Sequence, residues 1–316
     1  MAGMCVLDAD REECKVNHLR LLPRRLPRAL TRIKRAAIYP LKISGVSLEL
    51  PVFIWGNGQS GTYLLYDLLS LCGAFVYPSV SGWRKKGLAH LLPVKPIEGE
   101  PTLWGEVGLP WDRVPVWVHD RVLTNRDVAH VEVAVVRKRY ARLQTRWPWE
   151  DGLALRVLDK SPNYLMMTEL IDHAFPDALH IFALRDPEAI LDSIVRRFED
   201  PRYRVEEHWT GPVTGWYGNI LLPGHERRRH WPVKERHRWQ IEQVLAIGHQ
   251  AAERIGARCI KTRHEDLLAS PHAALTRVCE FIHAPVPLIP PGAIRGVAFC
   301  KPGSDTAPPL FASSSH

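Results

Sequence analysis

A glycine-rich turn between a predicted strand and a predicted helix constrains this 316-residue chain more than any other feature. The turn Gly56-Asn57-Gly58-Gln59-Ser60-Gly61-Thr62 follows the short apolar run Val52–Trp55 and precedes leucines at helical spacing up to Cys72. A strand, a glycine turn and a helix in this order form the first unit of a parallel sheet. The backbone N–H groups of the turn and the positive end of the helix would converge on an anion. The turn therefore predicts a phosphate site, although a tight strand–helix connection without a ligand has the same pattern.

The nucleoside-triphosphatase version of this turn is excluded. Its motif, G-x-x-x-x-G-K-[ST], requires a lysine that contacts the phosphates, and this lysine is absent here.

The rest of the chain reads as alternating strands and helices. Pro187, for example, occupies the first position of a predicted helix, where proline is favoured. We predict an α/β fold with a P-loop-like parallel β-sheet flanked by helices in a single domain, residues 51–301, between a basic extension, 1–50, and a flexible tail, 302–316. The predicted strands are Leu153–Leu158, Leu179–Leu184 and Arg258–Thr262, and the predicted helices are Tyr164–His173, Pro187–Phe198 and Pro271–Ile282.

Composition limits location and partners. With 46% hydrophobic residues the chain can bury one core, and its formal charge of +8 suits a polyanionic ligand, nucleic acid or an acidic membrane surface. The six cysteines include no C-x-x-C pair, so a reducing compartment is expected. No apolar run has the length of a transmembrane helix, and the first residues are too charged for a signal peptide. We expect a cytoplasmic protein, with peripheral contact to an anionic membrane left open by the basic stretches Leu21–Arg35 and His225–Arg238.

A second group of polar residues follows two of the predicted strands. Asp159 and Lys160 follow the predicted strand that ends at Leu158, and Arg185 follows the one that ends at Leu184. Ser193 lies eight residues after Arg185. An arginine at the carboxyl end of a parallel strand projects into the crevice where ligands of α/β sheets bind. Ser193 lies two helical turns further on and could share one anion with Arg185. Lys160 could equally be a surface cation at a strand end.

These segments resemble the sulfotransferase family that uses 3′-phosphoadenosine 5′-phosphosulfate (PAPS), in its bacterial and Golgi-type branches. The resemblance covers the turn Gly56 to Thr62, the block Lys160 to Ser193, and the block Arg263 to Pro271. The last block, Arg263-His264-Glu265-Asp266-Leu267-Leu268-Ala269-Ser270-Pro271, is similar to the family's R-Y-E-D-L-x-x-x-P. Three blocks in the family's order are more specific than any one of them.

The resemblance implies a role for each block. The turn, with Gly58, Gln59, Ser60, Gly61, Thr62 and the following Tyr63, would bind the 5′-phosphosulfate end of PAPS, and Arg185 and Ser193 would hold its 3′-phosphate. Lys160 would lie close to the transferring sulfuryl group, the Arg263 block would be structural, and Lys301 resembles the basic segment that closes over the nucleotide. Sulfuryl transfer resembles phosphoryl transfer in its loose in-line transition state, so a cation at the leaving oxygen meets its chemical need.

The acceptor must lose a proton, which requires a general base. Related enzymes place a glutamate or histidine after the first helix. Glu98 is the first candidate, because Lys95-Pro96-Ile97-Glu98 resembles a K-P-x-E segment of the bacterial branch, and Glu106 is the second. The other options are His90, Glu100 and His119, and each of these side chains could instead be a solvated surface group.

One residue departs from the family pattern. Gln59 stands where the family usually has arginine or lysine, so the turn keeps hydrogen-bond donors and loses a charge. Three outcomes stay open: another cation compensates, the enzyme is slow, or the chain binds nucleotide without transferring sulfate. The compensating candidates are Arg84, Lys85, Lys86 and Lys160.

The acceptor is not identified by the sequence. The aromatic segment Asp200 to Pro232 and the segment Phe75 to Trp117 are predicted to form its pocket, and their aromatic residues suit a small molecule, a carbohydrate or a lipid. We expect no nucleic-acid partner, because no recognised binding module is present, and no metal, because the histidines lack ordered ligand spacing. The alternative class is a catalytically weak or silent nucleotide-binding protein acting at a membrane surface.

Overall fold

The computed structural model describes residues 46–80, 95–96, 103–104, 121–128, 132–143, 155–199, 215–217, 220–287 and 289. Within them, a five-stranded parallel sheet has the strand order β2-β5-β1-β6-β7. A separate antiparallel pair joins β3 to β4. The strands are β1 (Val46–Gly56), β2 (Phe75–Val76), β3 (Ser79–Val80), β4 (Lys95–Pro96), β5 (Leu155–Lys160), β6 (Leu179–Leu184) and β7 (Cys259–Arg263).

Strand β1 is central in the sheet because its second half is completely apolar. Val52, Phe53, Ile54 and Trp55 are fully buried, and both faces of the strand are covered. Such a continuous apolar run is typical of a parallel strand with helices on both sides. Trp55 stacks on Phe182 of β6 with ring centroids 4.6 Å apart. The strand starts earlier than the apolar run because residues 46 and 47 also pair with β5, before a register shift.

The helices cover the two faces of the sheet. The longest, α6, buries an apolar stripe that includes Val244, Ala251 and Ile255. The helices are α1 (Thr62–Ser70), α2 (Asn125–Val128), α3 (Val133–Tyr140), α4 (Thr168–Ala174), α5 (Pro187–Glu199), α6 (Val233–Ile255), α7 (His264–Ala269) and α8 (Pro271–Phe281), with 3₁₀ turns at Pro162–Met167, Glu226–Arg228 and Gly256–Arg258.

The α/β fold class predicted from the sequence is confirmed by this sheet. Strand Leu179–Leu184 and the start of helix α5 at Pro187 match the predicted bounds. The predicted helix Tyr164–His173 is instead a 3₁₀ segment followed by α4, since Ser161 caps the segment by accepting the N–H of Asn163 and Pro162 begins it. Within the described residues, no helix combines the length and the apolar character needed to cross a bilayer.

Candidate functional site

The carboxyl ends of three neighbouring strands bring the predicted site together. Gly56, the last residue of β1, is paired with Ala183 of β6, and Leu184 is paired with Arg263 of β7. The segments that follow these strands are therefore adjacent: the turn after β1, Arg185 after β6 and His264 after β7. This edge is where open α/β sheets bind their ligands.

The turn itself is built on backbone geometry that favours glycine at two points. The N–H of Ser60 donates to the carbonyl of Asn57 at 3.1 Å, which closes the turn. Gly61 has a φ of 86°, and a Cβ there would overlap the ring of His264. At Gly56 a Cβ would overlap the carbonyl oxygen of Ala183, so β1 and β6 could not approach as they do. Gln59 also has a positive φ, 69°, which a residue other than glycine adopts only when its surroundings fix it.

Polar atoms in and beside the turn lack partners within the described residues. The side-chain nitrogen of Asn57, the hydroxyl of Ser60 and Nδ1 of His264 are all buried and make no hydrogen bond there. Buried polar groups are nearly always hydrogen-bonded, so three such atoms in one place require an explanation. Asn57 and Ser60 are hydrogen-bond donors at the N-terminus of α1, and a phosphate or sulfate oxygen would satisfy both. The turn therefore fits an anion such as a phosphate or sulfate group.

Arg185 and Ser193 both contact Gln59 of the turn. Nη1 of Arg185 donates to the carbonyl of Gln59 at 2.9 Å, and the hydroxyl of Ser193 donates to Oε1 of Gln59 at 3.0 Å. Burial lowers the pKa of Arg185, while Glu265 and Asp186 oppose that shift, so the guanidinium remains charged. Gln59 thus contacts both residues that the resemblance assigns to the 3′-phosphate.

The helix that carries Ser193 is fixed at its start by the residue after Arg185. Asp186 caps α5 by accepting the N–H of Ala189 at 2.9 Å, and its own N–H donates to Glu265 of α7 at 2.8 Å. The pKa of Glu265 is lowered because it accepts that N–H and lies near Arg263 and His264, although burial opposes the shift. These bonds orient Arg185 and Ser193 toward the same point.

Lys160 is at the carboxyl end of β5, beside the turn, and it is completely buried. This excludes the interpretation of Lys160 as a surface cation. Its ammonium lies 3.0 Å from the centre of the Tyr63 ring, and Tyr63, the second residue of α1, is 54% exposed. The face of an aromatic ring attracts a cation, and the attraction increases when the pair is shielded from water. Tyr63 therefore lies over Lys160 at the solvent side.

A buried carboxylate fixes the strand end that carries Lys160. Asp159, on the opposite face of β5, accepts the hydroxyls of Tyr140 and Tyr164 at 2.6 Å each. Trp104 in turn donates its indole N–H to Tyr140 at 2.8 Å. Burial, together with the nearby carboxylate, raises the pKa of both tyrosines well above its usual range, so both remain hydroxyl donors. The network holds Asp159 in the core and its neighbour Lys160 at the edge.

Two residues of the site were missed or undervalued by sequence reasoning. Tyr217 lies in the segment Asp200 to Pro232, which is predicted from the sequence to form the acceptor pocket, yet its hydroxyl accepts a hydrogen bond from the Gln59 amide. His264 was assigned to a structural block, yet it lies against Gly61. The signal for His264 was available: it directly follows a predicted strand, as Arg185 does. No comparable signal existed for Tyr217.

Several predicted residues lie outside the described part of the chain. They are the candidate bases Glu98 and Glu106, the other base options His90, Glu100 and His119, the closing residue Lys301, and the cations Arg84, Lys85 and Lys86. Among the residues that are described, no group of three or more His, Cys, Asp or Glu side chains could hold a metal ion.

Comparison with known proteins identifies the family. The model of the sulfotransferase family matches residues 51–287. The chain belongs to the sulfotransferase family. No curated protein matches.

Solved structures that resemble the chain are bacterial sulfotransferases at low identity. One from Mycobacterium avium is 17% identical over 88% of this chain and 73% of its own, with a TM-score of 0.47. One from Alicyclobacillus acidocaldarius is 16% identical over 76% and 83% of the two chains, with a TM-score of 0.44. The sulfotransferase domain from the curacin biosynthetic pathway is 19% identical over 78% and 77%, with a TM-score of 0.39.

Proposed function

We propose that this chain transfers a sulfuryl group from PAPS to a hydroxyl or amine of a small-molecule, carbohydrate or lipid acceptor. The observation that carries the proposal is the convergence of the glycine turn, Arg185, Ser193 and Lys160 at one sheet edge in a chain of the sulfotransferase family. The cytoplasmic location and the exclusion of nucleic acid stay predictions.

The proposed donor site has two anion-binding parts. The first is the turn, where the buried donors of Asn57 and Ser60 adjoin the N-terminus of α1. The second is the pair Arg185 and Ser193, both directed at Gln59. A nucleotide with phosphate groups at both ends requires two such parts.

PAPS, when bound, supplies an activated sulfuryl group on a phosphate leaving group. Lys160 would place positive charge where that leaving group gains negative charge, and its contact with Tyr63 places its ammonium beside the start of α1. The ammonium is shielded from water, which strengthens its electrostatic effect. The network around Asp159 would keep its strand end in place during the reaction.

Deprotonation of the acceptor is proposed for Glu98, with Glu106 as the second candidate. A glutamate in reach of the acceptor would take its proton as the new bond to sulfur forms. Separate Glu98→Gln and Glu106→Gln variants distinguish the two, since only the base should show a large fall in kcat with donor affinity retained.

Calorimetric titration with 3′-phosphoadenosine 5′-phosphate, the product form of the donor, tests the site first. We expect saturable binding that Arg185→Ala abolishes and Ser193→Ala weakens, whereas Lys138→Ala, at an exposed position of α3, leaves it unchanged. Absence of saturable binding to the wild-type chain would overturn the proposal.

A second candidate function is nucleotide binding at a membrane surface with weak or silent catalysis. It is favoured by the neutral Gln59, whose side chain is engaged by Ser193 and Tyr217, and by Trp231, 41% exposed among the exposed cations Arg227, Arg229 and Lys234. Interfacial tryptophan and basic residues together attract anionic lipid. Binding of 3′-phosphoadenosine 5′-phosphate and of anionic vesicles, without donor turnover on any acceptor, would support this function.

A further inference from the structure

The short segment 215–217 contacts the anion-binding turn at Gly58, whereas His264 contacts it at Gly61. The ring of Tyr217 lies against Gly58, where a Cβ would come within 2.9 Å of Cε1 of Tyr217. The hydroxyl of Tyr217 accepts a hydrogen bond from Nε2 of Gln59. One side chain therefore covers the backbone of the turn and also contacts its central residue.

Helix α6 fixes the main chain of Tyr217 at both of its polar groups. Its N–H donates to Nε2 of His237 at 3.1 Å, and its carbonyl accepts from Nε2 of Gln240 at 3.1 Å. Because a backbone N–H can only donate, Nε2 of His237 must be the acceptor, and Nδ1 carries the hydrogen that bonds the carbonyl of Val233 at 2.6 Å. Burial lowers the pKa of His237 to about 4, which keeps it in this neutral form at ordinary pH.

The side chain of Gln240 also holds the main chain three residues beyond Tyr217. Its amide also donates to the carbonyl of Ile220 at 2.8 Å, and the side chain is buried. The main chain of Tyr217 is thus positioned by hydrogen bonds to the long helix and not by the turn.

The amide of Gln59 is held between two residues from different elements. Its nitrogen donates to Tyr217 and its oxygen accepts from Ser193 on α5. These bonds fix the orientation of the amide and restrict its rotamers. With this amide fixed, Gln59 can keep the positive φ that shapes the turn and presents its carbonyl to Arg185.

We infer that Tyr217 is a positioning residue of the donor site, which acts through Gln59 to hold the turn and Ser193 in the arrangement that binds the anionic donor. The inference rests on the proposed function. It also accounts for a glutamine at this position: the residue supplies a donor to Tyr217 and an acceptor to Ser193 at once, which neither lysine nor arginine can do, since both lack an acceptor.

Two variants remove the contact from either side. Tyr217→Phe removes the hydroxyl and keeps the ring on Gly58, and Gln59→Met keeps the length of the side chain and removes the amide. Tyr217→Phe should weaken binding of 3′-phosphoadenosine 5′-phosphate by about 2- to 10-fold, the range that one hydrogen bond of ordinary net strength supports. Gln59→Met also removes the acceptor of the Ser193 hydroxyl, so it should weaken binding at least as much. The double variant should bind like the weaker single variant, because the two groups act through one contact.

The measurements are calorimetric affinities and thermal midpoints without ligand. Tyr77→Phe is the matched control, a buried tyrosine after β2 at the edge of the sheet, and it should leave the affinity unchanged. A purely structural role of Tyr217 would lower the thermal midpoint of Tyr217→Phe, whereas a positioning role lowers the affinity with the midpoint retained.

The outcomes separate the inference from the function. If the wild-type chain binds and Tyr217→Phe binds equally well, or if the two single losses multiply in the double variant, the inference fails and the proposed function stands. If the wild-type chain shows no saturable binding, the proposed function fails and the inference fails with it.

Discussion

The ammonium of Lys160 lies 3.0 Å from the centre of the Tyr63 ring, with the lysine completely buried and the tyrosine half-exposed. Lys160 is the last residue of β5 and Tyr63 is the second residue of α1, so the contact places the end of β5 beside the start of α1. For the ammonium to reach a bound donor, the ring of Tyr63 must move or share the cation with it. The relationship makes Lys160 and Tyr63 the first pair to test.

We predict that Lys160→Met, which keeps most of the stem and removes the charge, lowers kcat by about 10²- to 10³-fold, as loss of a preorganised electrostatic group does. The affinity for 3′-phosphoadenosine 5′-phosphate should change much less. Turnover of labelled PAPS and calorimetry measure the two quantities, with the exposed Lys138→Met as the matched control. A fall in affinity as large as the fall in kcat would place Lys160 in donor binding instead.

Gly61→Ala should abolish donor binding. A side chain there would have to adopt a φ of 86° and would overlap the ring of His264. Gly256→Ala is a matched control, since Gly256 also has a positive φ, 64°, but nothing lies within 4 Å of its would-be Cβ. Each glycine has a sparsely populated backbone conformation, although the two differ in ψ (14° at Gly61 and −128° at Gly256), and holding alanine there costs about 1–3 kcal/mol, so both variants should lose stability in urea. Equal nucleotide affinity in the two variants would contradict a role for the turn.

Donor binding should take up a proton at His264. In the free protein burial lowers the pKa of His264 and the neighbouring Arg185 lowers it further, while Glu265 opposes the shift. An anion bound at the turn would favour the charged imidazolium and raise that pKa. Affinity should therefore increase as pH falls through the interval between the free and the bound pKa values.

Calorimetry of 3′-phosphoadenosine 5′-phosphate in buffers of different ionisation enthalpy measures this proton uptake. The variant His264→Gln, which keeps a hydrogen-bonding side chain without the titration, should bind with no uptake from this site. Identical uptake in the wild type and the variant would assign the proton to the ligand phosphates.

Asp172→Asn should destabilise the fold without affecting donor binding. Asp172 accepts from Arg254 and Arg258 at 2.8 Å each and from His180 at 3.2 Å. These partners hold its pKa well below the usual range, even though burial opposes the shift. Removing one partner of such a network costs about 1–3 kcal/mol.

The pH dependence of that loss follows from the sign of the shift. Because the pKa of Asp172 is depressed in the folded protein, its contribution is fully present above the unfolded value of about 4 and declines as pH falls below it. The difference in unfolding free energy between wild type and Asp172→Asn should be constant near neutral pH and shrink in acid. A difference that grows in acid would contradict the assignment.

Much of the fold was predictable because its central elements are locally consistent. The apolar run Val52–Trp55, the glycine turn and the leucines of α1 all predict the same unit, and β6 was predicted at its observed bounds. The early start of β1 was not predictable, because residues 46–50 are partly exposed and join the sheet through pairing with β5. The end of α1 at Ser70 was not predictable either, because the apolar spacing continues to Cys72.

The candidate site divides in the same way. Arg185 and Ser193 could be placed together because one follows a strand and the other lies on the helix after it, so local geometry relates them. Tyr217 is held beside the turn by hydrogen bonds to α6, and both Tyr217 and α6 are far from the turn in sequence. No local sequence pattern could therefore predict that Tyr217 contacts the turn. The ring of Tyr63, from a different element, lies against the ammonium of Lys160, so the position of Lys160 at a strand end could not predict its burial.

The central position of β1 has a consequence for folding. The turn becomes an anion site only when β1 has paired with β6, and contacts such as the bond from Trp55 to His180, 125 residues apart in sequence, dominate that pairing. Long-range contacts of this kind close large loops and slow folding. The site should therefore form late during refolding, and recovery of nucleotide binding should follow recovery of the complete sheet.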